Sequence, residues 1–281
     1  MTSSIFKRLY EKQLVMPYLE NAFHNDNWPD QYFINVDSSP YYGLMDEDGV
    51  THETGAGDGY FHPSTHPLMS ERELYYRFHP LYASRLPRER RNLTSHLTLA
   101  AGSAMHATIQ TMLDMSGILK RGDEEWHDHS SLVKARYAKN NLGEWEYIRE
   151  DIKLRGRSDG VIKHPEEGEF MLEFKTMNSR MYRILKESKE PWSIQTELAA
   201  DQYGVDLSVI LVMEMGYPFD FKEFHIPRRT SHIEPIYEKF DRVLEAVKRD
   251  TPPPCSHAYA STLSKHCPVS QFCWPSIEAP L

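Results

Sequence analysis

Apolar residues recur at helical spacing near the start of the chain. Leu9 and Leu19 belong to a pattern that predicts a helix over residues 4–24, which Pro17 is expected to kink or split. Residues 25–68 have no such period and are rich in Asp, Gly, Pro, Ser and Tyr, so we interpret them as an irregular extension.

The helical pattern returns at residue 69 and continues through "NLTSHLTLAAGSAMHATIQTMLDMSGI". After Gly143, strands are predicted in "EWEYIREDIKLRGRSDGVIKH" and "EGEFMLEFKTM", with a turn at "HPEEG" between them. A helix in "PWSIQTELAADQYG", strands in "LSVILVMEM" and "FKEFHI", and a helix in "IEPIYEKFDRVLEAVKRD" follow. This order predicts an α/β or α+β fold in which helices flank a central mixed sheet.

The same pattern suggests three segments. They are an N-terminal helix with an irregular extension (1–68), a core (69–250), and a tail rich in Pro and Cys (251–281). Of the 281 residues, 40% are hydrophobic and 26% are charged, as in ordinary globular proteins. No apolar run has membrane-spanning length and no signal-like stretch begins the chain, so we expect a cytoplasmic protein without membrane association.

The net charge of −9 argues against a nucleic-acid binder as far as the whole chain is concerned. Local basic runs such as "RLPRERR" and "KARYAKN" qualify that conclusion, although short runs of this kind are more often solvated surface than phosphate sites.

An acid and a base lie side by side in the predicted strand "MLEFKTMN". Side chains alternate along a strand, so Glu173 and Lys175 share one face while Leu172 and Phe174 face a core. Asp159 lies fourteen residues earlier, in a turn whose glycines (Gly156 and Gly160) are expected to leave room for a backbone or phosphate. Two carboxylates on neighbouring strands can share a divalent cation, and a nearby ammonium can orient an attacking water.

The spacing of these residues is not specific by itself. Asp206 and Asp220 repeat the fourteen-residue interval, and Lys222 follows Asp220 as Lys175 follows Glu173. That second set lacks adjacent glycines and brackets the apolar run "LSVILVM", which favours a structural role.

Four motifs in order distinguish the first set. "GSAMH", "GRSDG", "LEFK" and the helix beginning "SIQTEL" together resemble the PD-(D/E)XK nuclease superfamily. The chain is most similar to the RecB-like exonuclease branch, which includes CRISPR-associated RecB-like exonucleases and relatives of phage lambda exonuclease. The resemblance runs from about residue 70 to the C-terminus and implies a restriction-endonuclease-like core.

The resemblance also implies roles for individual residues. Asp159 and Glu173 would bind Mg²⁺ or Mn²⁺, with the backbone carbonyl of Phe174 as a further ligand. Lys175 would position the nucleophilic water, and His106 would approach a second metal ion or the scissile phosphate. Gln195 matches the glutamine of a QxxxY motif whose tyrosine position is Ala199 in this chain. As candidate DNA contacts we name Arg85, Arg88, Arg91, Arg157 and Arg180.

Three cysteines lie in the tail, which does not resemble a secreted disulfide framework. Members of the RecB-like branch often hold a 4Fe–4S cluster through one early cysteine and a C-x2-C-x5-C tail. Here Cys267 and Cys273 keep the second spacing, Ser264 takes the first cysteine position, and Cys255 is additional. Three thiols cannot supply four-thiolate ligation, so we interpret the tail as a metal-free remnant, with a cluster or a zinc site as alternatives.

The leading expectation is a Mg²⁺- or Mn²⁺-dependent DNA exonuclease acting on DNA ends in recombination, repair or replication. A single-strand annealing or other recombination protein is a possible partner, and a homo-oligomer would permit processive degradation. The alternatives are a catalytically silent module that binds DNA or a protein, and a metal-dependent hydrolase of another substrate.

Overall fold

The computed structural model describes residues 12–23, 58–86, 93–138, 143–259 and 261–274. Its helices are α1 (Met16–Phe23), α2 (Glu71–Phe78), α3 (Pro80–Ala83), α4 (Leu93–Met115), α5 (Ser179–Ile184), α6 (Glu190–Tyr203), α7 (Thr230–Lys248), α8 (Thr262–His266) and α9 (Ser270–Cys273). Its strands are β1 (His127–Asp128), β2 (Val133–Tyr137), β3 (Trp145–Arg149), β4 (Leu154–Ser158), β5 (Gly160–His164), β6 (Gly168–Met177), β7 (Leu207–Glu214) and β8 (Phe221–Pro227). None of the helices within these ranges is long and apolar enough to cross a membrane.

The N-terminal helix differs from the prediction at Pro17. Residues 12–15 are not helical and α1 begins at Met16, so the predicted helix is not continuous through this region. Pro17 is the second residue of α1, where its missing N–H and fixed φ suit a helix start. Leu19 is buried as expected. Residues 4–11 and 24 of the predicted helix and residues 25–57 of the predicted extension lie outside the described residues. The division of the chain into three segments stays a prediction.

The strands form two four-stranded sheets. The first is antiparallel in the order β1-β2-β3-β4, and the second is mixed in the order β5-β6-β7-β8, with β6 and β7 parallel. Helices flank both sheets, so the predicted mixed α/β class is confirmed. The single predicted sheet is wrong in detail, because β1 and β2 join two of the predicted strands to build a separate sheet.

One residue carries the chain from the first sheet to the second. Ser158 ends β4 and Gly160 begins β5, which leaves Asp159 alone between them. The Ser158 hydroxyl donates to the carbonyl of Leu172 (2.8 Å) and thereby ties the end of the first sheet to the central strand of the second. Asp159 is therefore held where the two sheets meet.

The central strand β6 has two chemically different faces. Leu172 and Phe174 pack against residues of α1 and α4, as alternation predicted. Met171 packs on the other face against α6 and α7. Glu173 and Lys175 share that second face, so the acid and the base lie beneath α6.

The two glycines beside Asp159 serve packing and do not open space for a phosphate. A methyl group on Gly156 would overlap the ring of Tyr147, and one on Gly160 would overlap the side chain of Leu119. The expectation that these glycines leave room for a ligand is wrong, because buried side chains of the protein fill that room.

Candidate active site

Asp159 is fixed by groups from three elements. Its Oδ1 lies 3.3 Å from Nδ1 of His106 on α4, and its Oδ2 accepts a hydrogen bond from the Phe174 N–H of β6 (2.6 Å). Its own carbonyl oxygen accepts from Nε2 of Gln110 at 2.7 Å. Both carboxylate oxygens and the main chain are thus oriented before any ligand arrives.

Glu173, Lys175 and Gln195 form a connected group between β6 and α6. Nζ of Lys175 lies 2.5 Å from Oε1 of Glu173, and the same oxygen accepts from Nε2 of Gln195 at 2.8 Å. The Lys175 ammonium also donates to Oε1 of Gln195 (3.3 Å). Glu173 is only 3% exposed, so its charge is balanced by these donors and scarcely by bulk water.

Helix α4 lies against β6 at Gly102. A methyl group there would be in ordinary van der Waals contact with the Thr176 hydroxyl, at 3.4 Å. One turn later the His106 ring meets the Phe174 ring edge-on at 4.8 Å, and one further turn brings Gln110 to Asp159. The predicted residues His106, Asp159, Glu173, Lys175 and Gln195 are therefore brought together in space.

The pKa values of the two carboxylates are shifted in opposite directions. Burial is the largest influence on the pKa of Asp159 and raises it, but His106, Lys175 and the Phe174 N–H together outweigh it, so this pKa lies below its usual value. Burial raises the pKa of Glu173 to about 7; Asp159 adds to the effect and Lys175 opposes it. Asp159 is therefore ionised at neutral pH, while Glu173 titrates near neutrality.

The two bases carry charge at neutral pH more readily than the free side chains. Burial is the largest influence on the pKa of Lys175 and lowers it, but Glu173 and Asp159 together raise that pKa above its usual value. The pKa of His106 is raised in the same way, because Asp159 more than offsets the burial. The site thus holds two acid–base pairs, His106 with Asp159 and Lys175 with Glu173.

The donor set fits a hard divalent cation that keeps several waters. Mg²⁺ is commonly bound by only one or two protein carboxylates, and Asp159 and Glu173 are two carboxylates directed at one region of β6. Within the described part of the chain, no three His, Cys, Asp or Glu side chains form a ready-made cage for a metal ion. A cation would have to take over oxygens that His106, Lys175 and Gln195 now contact. The Phe174 carbonyl stays a predicted ligand.

A metal ion bound here should compete with protons. Glu173 must lose its proton to act as a ligand, and its pKa is about 7, so metal affinity should rise as the pH increases. We expect the Mn²⁺ association constant to rise up to about tenfold per pH unit for each proton released between pH 6 and 7, and to level off above pH 8. Isothermal titration calorimetry at each pH measures the association constant. Repeating the titration in two buffers of different ionisation enthalpy gives the number of protons released. Affinity that is flat from pH 6 to 8 would contradict this expectation.

An ion-pair layer beside Asp159 was not anticipated from the sequence. Glu144 would lie opposite Asp159 if the β3–β4 register, in which Trp145 pairs with Ser158, were extended by one residue. Arg157 contacts both Glu144 (2.9 Å) and Glu146, and Arg136 holds Glu146 at 2.7 Å. Side chains alternate along a strand, so Glu144 and Glu146 lie on one face. This alternation could have predicted the layer from the sequence.

The candidate DNA contacts have different surroundings. Arg157 is engaged by the two glutamates of that layer, whereas Arg85 and Arg180 are exposed. Arg88 and Arg91 lie outside the described residues. All five assignments stay predictions.

The cysteine tail packs against α2. Arg72 donates to the carbonyl of Pro253 (2.6 Å) and, through Nε, to Sγ of Cys273 (3.1 Å). Burial, the largest influence, raises the pKa of Cys273, and a hydrogen bond with Cys255 adds to the effect. All three cysteines are free thiols. The metal-free interpretation of the tail stays a prediction.

Comparison with known proteins gives little. No family model matches the chain, and no curated protein matches it significantly. An alkaline exonuclease from Laribacter hongkongensis resembles it with a TM-score of 0.42 and 12% identity, covering 68% of this chain and 89% of its own. A structure described as SSO0001 has a TM-score of 0.36 and 11% identity, covering 99% and 100%. Both scores are low, so the functional conclusion depends on the side chains of this protein.

Proposed function

We propose that the protein is a metal-dependent deoxyribonuclease of the PD-(D/E)XK type, with an exonuclease of the RecB-like branch as the specific form. The observation that carries the proposal is the convergence of Asp159, Glu173 and Lys175 at β6, where Glu173 is buried and the other two side chains are partly buried. The four ordered sequence motifs support the family assignment, and exonuclease activity on DNA ends is inferred from that resemblance.

Each residue has a role in this scheme. Asp159 and Glu173 would hold Mg²⁺ or Mn²⁺, which would supply a Lewis acid and an activated water when bound. Lys175 remains protonated, and so it donates hydrogen bonds to the water or the phosphate. Gln195 holds the Glu173 carboxylate and the Lys175 ammonium in place through a hydrogen bond to each. His106 orients Asp159 and approaches the phosphate.

A silent nuclease-fold module is the second candidate. The hydrogen bonds already made by the two carboxylates favour it, since a cation has to displace existing donors. The intact acid pair and its ammonium favour catalysis, because an acid with a pKa raised to about 7 is costly for a purely structural strand.

Digestion of end-labelled DNA separates these readings. We expect purified full-length protein to degrade linear DNA when Mn²⁺ or Mg²⁺ is present and not in EDTA, and to leave closed circular DNA intact. Single-stranded and double-stranded substrates labelled at either end would give the strand preference and polarity. Absence of metal-dependent hydrolysis of every substrate, together with no thermal stabilisation by Mn²⁺, would reject the proposal in favour of the silent module.

A further inference from the structure

Two aromatic rings project from the loop between β7 and β8. Tyr217 is 97% exposed and Phe219 is 57% exposed, with Pro218 between them. Among the described residues, only one other aromatic side chain, Tyr259, ranks with the large exposed hydrophobics. Rings placed in water at a loop tip do not stabilise the core, so this arrangement points to contact with something outside the chain.

The loop is anchored on α5. The Met215 N–H donates to the carbonyl of Met177 (2.7 Å), and Gly216 lies so close to Ser179 that a methyl group there would overlap its hydroxyl. Lys222, at the start of β8, donates to the carbonyls of Tyr182 (2.6 Å) and Leu185 (2.8 Å), which terminate α5. The loop tip and the helix therefore form one continuous surface.

The helix side of this surface is basic and partly apolar. Arg180 and Arg183 are exposed, and neither has an ion-pair partner among the described residues. Met181 and Ile184 add exposed apolar area beside them. No acidic residue occurs from 176 to 186. The aromatic–basic platform is defined here as Arg180, Met181, Arg183, Ile184, Tyr217 and Phe219.

Two acids lie near the loop. Asp220 accepts from the Phe221 N–H (2.9 Å), and the Glu214 carboxylate lies beside Gly216. Helix α5 itself carries Arg180 and Arg183 and no acid, so the helix side is positively charged, which suits an anionic partner.

The platform adjoins the candidate active site. Met177 lies two residues beyond Lys175 on β6, about 7 Å along the strand. Tyr217 lies two residues beyond Met215, at most about 7 Å further. Tyr182 of α5 packs on Met177, which shares the strand face of Lys175 by alternation. A strand leaving the site in this direction meets the platform within a few nucleotides.

We propose that the aromatic–basic platform binds single-stranded DNA and leads it to the site at Lys175; this rests on the proposed nuclease function. Unpaired bases stack on Tyr217 and Phe219, while phosphates meet Arg180 and Arg183. Stacking on exposed aromatic rings beside cations is how proteins bind single strands without sequence preference. A duplex hides the faces of its bases, so it gains only the charge contacts.

Binding of a labelled fifteen-nucleotide oligothymidylate, measured by fluorescence anisotropy, tests the platform. The full-length protein is used in EDTA to prevent hydrolysis. We expect the double variant Tyr217→Ala/Phe219→Ala to weaken binding at least about tenfold, since each stacked base contributes on the order of 1–3 kcal/mol. Tyr217→Phe keeps the ring and should bind nearly as wild type. Tyr259→Ala, an exposed aromatic of the tail, is the matched control and should change nothing. Binding of a blunt duplex should change less than about twofold.

Charge is tested separately. Arg180→Ala/Arg183→Ala should reduce the slope of log affinity against log salt by about 1.4, as two phosphate contacts on a single strand predict. All substituted side chains are exposed, so circular dichroism and melting temperature should match those of the wild type.

The outcomes distinguish this inference from the nuclease proposal. Unchanged oligothymidylate binding by the aromatic double variant, or no measurable binding by the wild type at low salt, overturns the platform even if the protein degrades DNA. Loss of binding by the double variant supports the platform even if no hydrolysis occurs. A change of the aromatic residues that instead alters the oligomeric state, with binding intact, assigns the surface to a protein contact and overturns the inference.

Discussion

Glu173→Gln is expected to lower the rate of Mn²⁺-dependent DNA hydrolysis about 1,000-fold or more while leaving the protein folded. The substitution preserves the shape of a side chain that is almost fully buried, and it removes the charge with which the carboxylate would hold a cation. Glutamine can still accept from Lys175 and Gln195, so the melting temperature should stay within a few degrees of the wild-type value. Single-turnover hydrolysis of linear DNA measures the rate.

Asp206→Asn is the matched control for this prediction. Asp206 and Asp220 repeat the interval between Asp159 and Glu173, yet the Asp206 side chain is 85% exposed and pairs with Arg228 at 2.7 Å. Its replacement should leave hydrolysis within about twofold, because a surface ion pair contributes little. Near-normal hydrolysis by Glu173→Gln, or a large loss in Asp206→Asn, would contradict the assignment of the acid pair.

Lys175→Ala should reduce hydrolysis by about 100- to 10,000-fold while Mn²⁺ binding is retained. The ammonium is held by Glu173 and Gln195, and its raised pKa keeps it protonated at neutral pH. A protonated lysine cannot accept a proton from water, so its contribution is as a cation and hydrogen-bond donor. Removing it also removes a positive charge next to the carboxylates, which favours metal binding.

The control for Lys175 is Lys163→Ala, on an exposed position of β5. It removes a lysine from the same sheet without touching the site and should hydrolyse DNA like the wild type. Metal titration and hydrolysis on the same preparations separate binding from chemistry. Should excess Mn²⁺ restore the rate of Lys175→Ala, the lysine would be an organiser of the metal ligands rather than a group acting on water or phosphate.

The fold could be predicted where local periodicity is strong. The apolar positions of α4, α6 and α7 recur with the helical period, and β6 to β8 alternate or run apolar between turns, so these elements were expected. Strand β2 was not, because its charged residues resembled a solvated basic run. Arg136 is buried there against Glu146. The two residues are ten positions apart, so the local pattern of apolar and polar residues does not predict their pairing.

More of the candidate site than of the first sheet could be predicted from the sequence, and the reason is chemical. The candidate residues are conspicuous because polar groups interrupt apolar elements. The structure brings them to β6 as two contacting groups: His106 with Asp159, and Glu173 with Lys175 and Gln195. Their ordered motifs indicate a function, whereas the spacing alone could not separate Asp159 from Asp206. The glycine interpretation failed because Tyr147 and Leu119 fill the space beside Gly156 and Gly160, and only tertiary packing reveals such neighbours.

The single-residue junction at Asp159 couples the acid pair to the packing of the two sheets. Asp159 is oriented by α4 and by β6, and β6 lies between β5 and β7 in the second sheet. Only Asp159 separates the last residue of the first sheet from the first residue of the second, so a displacement of either sheet is transmitted directly to this carboxylate. Substitutions in the first sheet are therefore expected to change the distance between the two acids, although they lie far from Glu173 in the sequence.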